Sequence, residues 1–248
     1  KGRLEAILLK ADILSDSVLP DDLAQARALY RRAHDMGSAD GAYELGMMLY
    51  QSDGFYDNPQ QVMDWLRIAR DGGHPEASFR LGQIAYYAGH LFPSLPAFET
   101  YLREAAAAGH AEAALLLGKA YLSGVEGRLV AQPEEAVAML EQAGALGSGD
   151  AYFLLGEAYR EGRHLPADRQ KSLTAYFLAT GKGHMAASLE VARAYLYGDG
   201  VSPDADLALK LLNASADRGS AAAMFLLGRV YDEGIGGVAA APSRALGY

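Results

Sequence analysis

Ala113-Ala114-Leu115-Leu116-Leu117-Gly118-Lys119-Ala120-Tyr121 decides how this chain folds, because its frame of small residue, leucine-glycine pair and aromatic returns along the sequence. The pair recurs as Leu45-Gly46, Leu81-Gly82, Leu117-Gly118, Leu155-Gly156 and Leu227-Gly228, at intervals of 36, 36, 38 and 72 residues. The last interval is two periods, and Val191-Ala192 fills the slot between. Working outward, a second series keeps the same phase: Gly37-Ser38, Gly73-His74, Gly109-His110, Gly147-Ser148, Gly183-His184 and Gly219-Ser220. Two series in phase define a repeated unit of two elements. Units of this size cannot bury their own apolar faces and must stack on their neighbours. Residues 1–248 are therefore expected to form a single repeat domain of about six helical hairpins of 36–38 residues, with partial units at both ends.

Five residues before the glycine of each Leu-Gly pair stand Gly41, Ala77, Ala113, Ala151, Ala187 and Ala223, and three after it Leu49, Ala85, Tyr121, Tyr159, Tyr195 and Tyr231. Such spacings share one face of a helix. Bulk beside that stripe comes three residues before the glycine, from Tyr43, Phe79, Leu115, Phe153, Leu189 and Phe225. A glycine inside a helix costs about 1 kcal/mol against alanine. Close approach of a second helix is the simplest offset, and Ala192 shows that the slot admits a methyl. A leucine in place of Gly118 is expected to force the helix pair apart. The second element is read from the Gly-Ser/His series: Tyr30, Leu66, Leu102, Leu140, Tyr176 and Leu212 lie seven residues before its glycine, and Ala33, Ala69, Ala105, Ala143, Ala179 and Ser215 four before. That glycine suits a left-handed helix C-cap, and Pro20, Pro59, Pro96, Pro133, Pro166 and Pro203 fall near the helix start, where a missing N–H is harmless. The expected fold class is all-α, with the two extra residues between Gly118 and Gly147 absorbed in the loop from Ser123 to Pro133.

Charge narrows the function. With 22 basic and 31 acidic residues the chain carries a formal charge of -9, unlike a surface that gathers Lys and Arg for phosphates, so nucleic acid is discarded as a partner. The absence of cysteine excludes disulfides, thiol nucleophiles and thiolate metal sites within this stretch. No run reaches the roughly 18 uninterrupted apolar residues of a membrane span. The opening Lys1-Gly2-Arg3-Leu4-Glu5 and the closing Ser243-Arg244-Ala245-Leu246-Gly247-Tyr248 read as a trimmed piece, with further repeats expected beyond it. Nucleotide-binding, nucleophile-elbow and zinc-protease motifs are missing. His74, His110 and His184 share one turn position and read as part of the repeat, whereas His34, His90 and His164 are scattered. Asp21-Asp22 and Glu134-Glu135 read as first-turn acids answering the helix dipole. The Asp199-Gly200 loop offers too few oxygen ligands for calcium.

The pattern Ala-x-x-x-Leu-Gly-x-x-Tyr, a glycine-rich loop such as Tyr197-Gly198-Asp199-Gly200-Val201, and a helix ending in Ala-x-x-x-Gly-Ser/His together resemble the Sel1-like repeat, a relative of the tetratricopeptide repeat, over nearly the whole chain. The resemblance implies an α/α superhelix, or solenoid, whose first helices line a concave surface holding protein partners, with no enzymatic activity and no cofactor. At a finer level the aromatic loop Phe55-Tyr56-Asp57-Asn58-Pro59 and the degenerate first unit resemble alginate-export lipoproteins of pseudomonads. That likeness implies a periplasmic scaffold at the outer membrane, with an outer-membrane porin and periplasmic exopolysaccharide-modifying proteins as partners. Contact with the membrane would come only through a lipid anchor outside this chain. An intracellular adaptor of a signalling or secretion complex is the alternative; a β-lactamase-like hydrolase is disfavoured by the missing cysteines and the missing Ser-x-x-Lys motif.

Candidate partner-binding residues are those the repeat does not dictate. Positions two before, one after and five after the Leu-Gly glycine form a further stripe on the first helices, from which Met47, Arg80, Gln83, Tyr87, Leu116, Lys119, Leu154, Glu157, Arg193 and Tyr197 are the candidates. Apolar members such as Met47, Tyr87, Leu116, Leu154 and Tyr197 would anchor a partner if exposed; the competing reading is a helix buried over a wider arc. Replacing Arg80 and Tyr87 together by alanine is expected to weaken a partner and leave thermal stability nearly unchanged. Acidic polysaccharide would be repelled by the net charge, so protein contacts are expected to dominate.

Overall fold

Every Leu-Gly pair lies inside a helix, and every Gly-Ser/His pair ends one helix and opens the next. The computed structural model of the chain describes residues 2–51, 59–88 and 97–248. The first helices of the hairpins are α1 (Gly2–Ser15), α3 (Ala39–Gln51), α5 (Ala77–Ala88), α7 (Ala111–Ser123), α9 (Gly149–Glu161), α11 (Met185–Tyr197) and α13 (Ala221–Glu233). Their partners are α2 (Pro20–Asp35), α4 (Pro59–Asp71), α6 (Phe98–Ala107), α8 (Pro133–Ala145), α10 (Arg169–Gly181), α12 (Ala205–Asp217) and the short α14 (Pro242–Ala245). Among the described residues there is no strand, only a bridge between Val125 and Leu129. The all-α hairpin repeat is thus the fold class. The chain forms two compact units, Lys1–Ala113 and Ala114–Tyr248, and the division falls within α7.

In unit Lys1–Ala113, α1 to α6 pack consecutively, each on the next. The two sequence series meet here. A Cβ on Gly82 of α5 would lie 2.6 Å from Cδ2 and 3.1 Å from the backbone nitrogen of Leu102 on α6, and one on Gly46 would lie 3.2 Å from Leu66 on α4. The residue facing each rung glycine is the bulky residue seven before the following turn, so the missing side chain is what lets the hairpin close. Ala11, Ala26, Tyr30 and Leu45 form the core of the first hairpins, with Trp65 packed against it.

Unit Ala114–Tyr248 repeats the device. A Cβ on Gly118 would lie 2.8 Å from Leu140, and one on Gly156 2.5 Å from Tyr176. Ala192 and its counterpart Leu212 are both fully buried, so this slot holds a methyl as expected. Gly228 differs: its nearest neighbours, Ala245 and Tyr248, are 3.7 and 4.0 Å away. The approach is looser there: α14 ends at Ala245, and Tyr248, which stands to Gly228 as Leu102 does to Gly82, stacks on Tyr231 of α13 with ring centroids 6.0 Å apart.

The turns explain themselves. Gly37, Gly73, Gly109, Gly147, Gly183 and Gly219 all adopt φ between 82° and 111°, where a side chain would be strained. Ser38 N–H then reaches back to the carbonyl of Ala33 at 3.0 Å, and His74, His110, Ser148, His184 and Ser220 make the same reverse bond. Pro20, Pro59 and Pro133 open α2, α4 and α8. Pro166 and Pro203 lie just ahead of Asp168 and Asp204, whose carboxylates cap α10 and α12 by accepting from Lys171 and Leu207 N–H at 3.0 and 2.9 Å. Pro96, His90 and residues 55–58 of the aromatic loop lie outside the described residues. Residues 124–132, joining α7 to α8, are two longer than the connections 162–168 and 198–204, and Val125 N–H donates to Leu129 across the turn at 2.8 Å. The insertion sits where the spacing placed it.

Candidate interaction surface

The residue after each turn glycine caps a first helix, and its identity sets how much else the joint does. Ser38, Ser148 and Ser220 accept from the N–H of Gly41, Ala151 and Ala223 at 3.2, 3.2 and 3.3 Å. His74, His110 and His184 do the same through Nδ1, from Glu76, Ala113 and Ala187 at 3.3, 3.2 and 3.1 Å. An accepting Nδ1 assigns the proton to Nε2, which faces Asp40, Glu76 and Asp150 at 3.7, 3.0 and 3.3 Å. Each ring also stacks on the bulky residue of the preceding first helix: His74 on Tyr43, His110 on Phe79 and His184 on Phe153, with centroids 3.9, 4.1 and 4.3 Å apart. The shared histidines are therefore joints between repeats. Among the described residues no group of His, Asp and Glu is arranged to hold a metal ion.

The candidate stripe divides. In unit Lys1–Ala113, Met47 on α3 is half-buried and Tyr87 on α5 is 67% exposed. Arg80 is half-buried and occupied: it donates to Tyr43 Oη at 3.4 Å and to Gln83 Oε1 at 3.0 Å and lies over the Phe79 ring. In unit Ala114–Tyr248, Leu116 and Leu154 are half-buried and Lys119 is exposed. Leu226, at the matching position on α13, is only 5% exposed and belongs to the core. Of these three leucines only Leu226 is buried in the core, and Leu116 and Leu154 keep part of their surface exposed.

Arg193 and Tyr197 on α11 share a groove of about 670 Å³, lined also by Arg160, Tyr176, Arg169, Asp199 and Glu190. Its wall is a charge network. Arg160 donates to Glu157 at 2.7 and 3.2 Å and to Tyr176 Oη at 3.1 Å, and the Tyr176 hydroxyl donates to Glu157 in turn. Burial pushes the Glu157 carboxyl up, but the hydrogen bonds from Arg160 and Tyr176 outweigh it and hold the group below the usual carboxylate range. Burial, and then the carboxylate of Glu157, raise the Tyr176 phenol. Arg193 pairs with Glu190 at 3.0 Å, and Arg169 pairs with Asp199. The guanidiniums are thus fixed in place, and Tyr197, 55% exposed, stands free at the edge. Fixed charge beside an exposed aromatic suits recognition of an extended polypeptide. Leu116, Lys119 and Leu154 do not line this groove. Sequence reasoning missed Arg160, Arg169 and Asp199; the Glu157–Arg160 spacing of three residues on a helix is the signal that was present for the first of them.

The Sel1 repeat pattern matches residues 14–38, 39–74, 75–97, 111–148, 149–183, 186–220 and 221–248, and the chain belongs to the Sel1 repeat family. Among solved structures, a protective antigen of uropathogenic Escherichia coli with an SLR fold superposes with a TM-score of 0.76 at 26% identity, covering 98% of this chain and 52% of that one. This chain therefore spans about half the length of that relative. A Sel1 repeat protein from Oxalobacter formigenes superposes with a TM-score of 0.65 at 23% identity, covering 90% of this chain and 91% of that one. No curated protein matches the chain. Arrays of this family's kind, α/α solenoids, present extended surfaces to protein partners.

Proposed function

We propose that this chain is a non-enzymatic scaffold that binds a polypeptide segment along the groove between α9, α10 and α11, with Arg160 and Arg193 as fixed polar contacts and Tyr197 as the aromatic anchor. The observation that carries this reading is the exposure of Tyr197 beside guanidiniums already held by Glu157 and Glu190. A photo-reactive residue at position 197 should cross-link a discrete partner in cells, whereas the same residue at the exposed position of Lys210 on α12 should not. Equal labelling from both positions sinks the reading. Arg193→Ala with Tyr197→Ala should weaken capture of that partner with little change in melting temperature. In the other unit, Tyr87→Ala is the clean probe, because Arg80 has structural bonds to lose.

At a finer level we infer that the scaffold works in the periplasm at the outer membrane, supporting assembly of an alginate or related exopolysaccharide export complex. Its partners there would be a porin and periplasmic polysaccharide-modifying proteins. Support comes from the sequence resemblance to alginate-export lipoproteins, and a lipid anchor would lie outside these residues. Fractionation of cells expressing the full gene tests it: recovery with outer-membrane vesicles agrees, and recovery in the cytosol favours an intracellular adaptor.

A further inference from the structure

We propose that the exposed face of α2 is a second docking surface, shaped for an acidic, amphipathic segment of a protein partner. Ala24, Arg27, Ala28, Arg31 and Arg32 of α2 line a groove of about 520 Å³ whose other wall includes Leu49 of α3. Five arginines elsewhere spend their charge internally: Arg70, Arg103, Arg160, Arg193 and Arg229 each meet a carboxylate at 2.7 to 3.0 Å. Those on α2 do not. Among the described residues Arg27 and Arg32 have no ion pair, and Arg31 has only the face of Trp65, 5.6 Å from the ring centroid. The nearby acids do little to neutralise them. Asp35 stands one turn further along the same wall, and Asp64 on α4 is held by Gln60 and Arg67.

Three guanidiniums within two turns of a helix, in a chain of net charge -9, form a local field opposite in sign to the whole. Ala24 and Ala28, one turn apart, leave room between the arginine stems for an apolar side chain to reach Leu49. A ligand that satisfies both features carries carboxylates flanking apolar residues. Nucleic acid and anionic membranes fit less well, since both need a longer basic track and both are repelled by the remaining surface.

Trp65 is the chain's single tryptophan and lies beneath Arg31 of the groove wall, so its emission is a local reporter beside this groove. A random-peptide phage library selected on the protein, with counter-selection on the bare support, should enrich peptides in which acidic residues flank apolar ones. A synthetic selected peptide should shift Trp65 emission, bind about tenfold more weakly to the double variant, and lose affinity as salt rises. Ala28→Phe, which fills the groove and keeps every charge, should also abolish binding, while Arg193→Ala/Tyr197→Ala should leave it intact. Melting curves confirm that each variant is folded. The proposal is overturned if the enriched peptides lack acids, if they bind Arg27→Glu/Arg31→Glu as well as wild type, or if phosphatidylglycerol vesicles shift Trp65 as the peptide does. It also fails if the chain self-associates through this face, as judged by sedimentation of wild type against the double variant.

Discussion

Gly82 and Gly228 occupy the same place in the repeat and do different things. At Gly82 the hairpin is closed so tightly that a Cβ would enter Leu102, whereas at Gly228 nothing lies within 3.7 Å. The letter is constant, but its value depends on the helix opposite. The leucine halves of the pairs show no such contrast, since Leu81, Leu117 and Leu227 are all fully buried.

Leu117→Ala and Leu227→Ala should therefore each lose about 2 to 5 kcal/mol, read from chemical denaturation. If only one of them does, the claim that the leucines are equivalent fails. Gly82→Ala should follow with a loss of about 1 to 3 kcal/mol from overpacking against Leu102. A neutral result would mean that the rung opens freely. Next comes pH. Burial holds the His74 ring below the ordinary histidine value, against the pull of Asp40 and Glu76. The unfolded chain then takes up a proton first, so the contribution of this joint is complete above about pH 6.5 and is lost as pH falls through the lower folded value. His74→Ser, which imitates the joint at Ser38, should flatten that part of the stability-pH profile; an unchanged slope would clear His74. The smallest effect is a gain: Gly228→Ala should stabilise by up to about 1 kcal/mol, since helix propensity improves and no neighbour resists.

Much of this architecture was legible because repetition multiplies weak signals. One glycine in a helix says little, but Gly46, Gly82, Gly118 and Gly156, each facing a bulky residue of the next helix, recur in step with Leu66, Leu102, Leu140 and Tyr176. The histidine joints were seen as a shared position, yet their chemistry depends on pairs such as Phe79 with His110, 31 residues apart in sequence. Spacing alone does not say that those rings face each other. The groove was half legible: Arg193 and Tyr197 followed from their offset, while Arg169 and Asp199 meet across a loop whose path no periodicity encodes. Unpaired charge on α2 was invisible for a related reason. A list of arginines cannot show which have found a carboxylate.

Because each rung glycine meets only the second helix of its own hairpin, register is stored locally, and every hairpin behaves as a cassette with its own reading frame. Excising the block from Gly147 to Lys182 would join Leu146 to Gly183 and restore a Gly-His junction in phase. Arrays of this kind can lengthen or shorten by whole modules while each surviving seam keeps its contacts, so the reach of such a protein is free to drift even where its stitching is not.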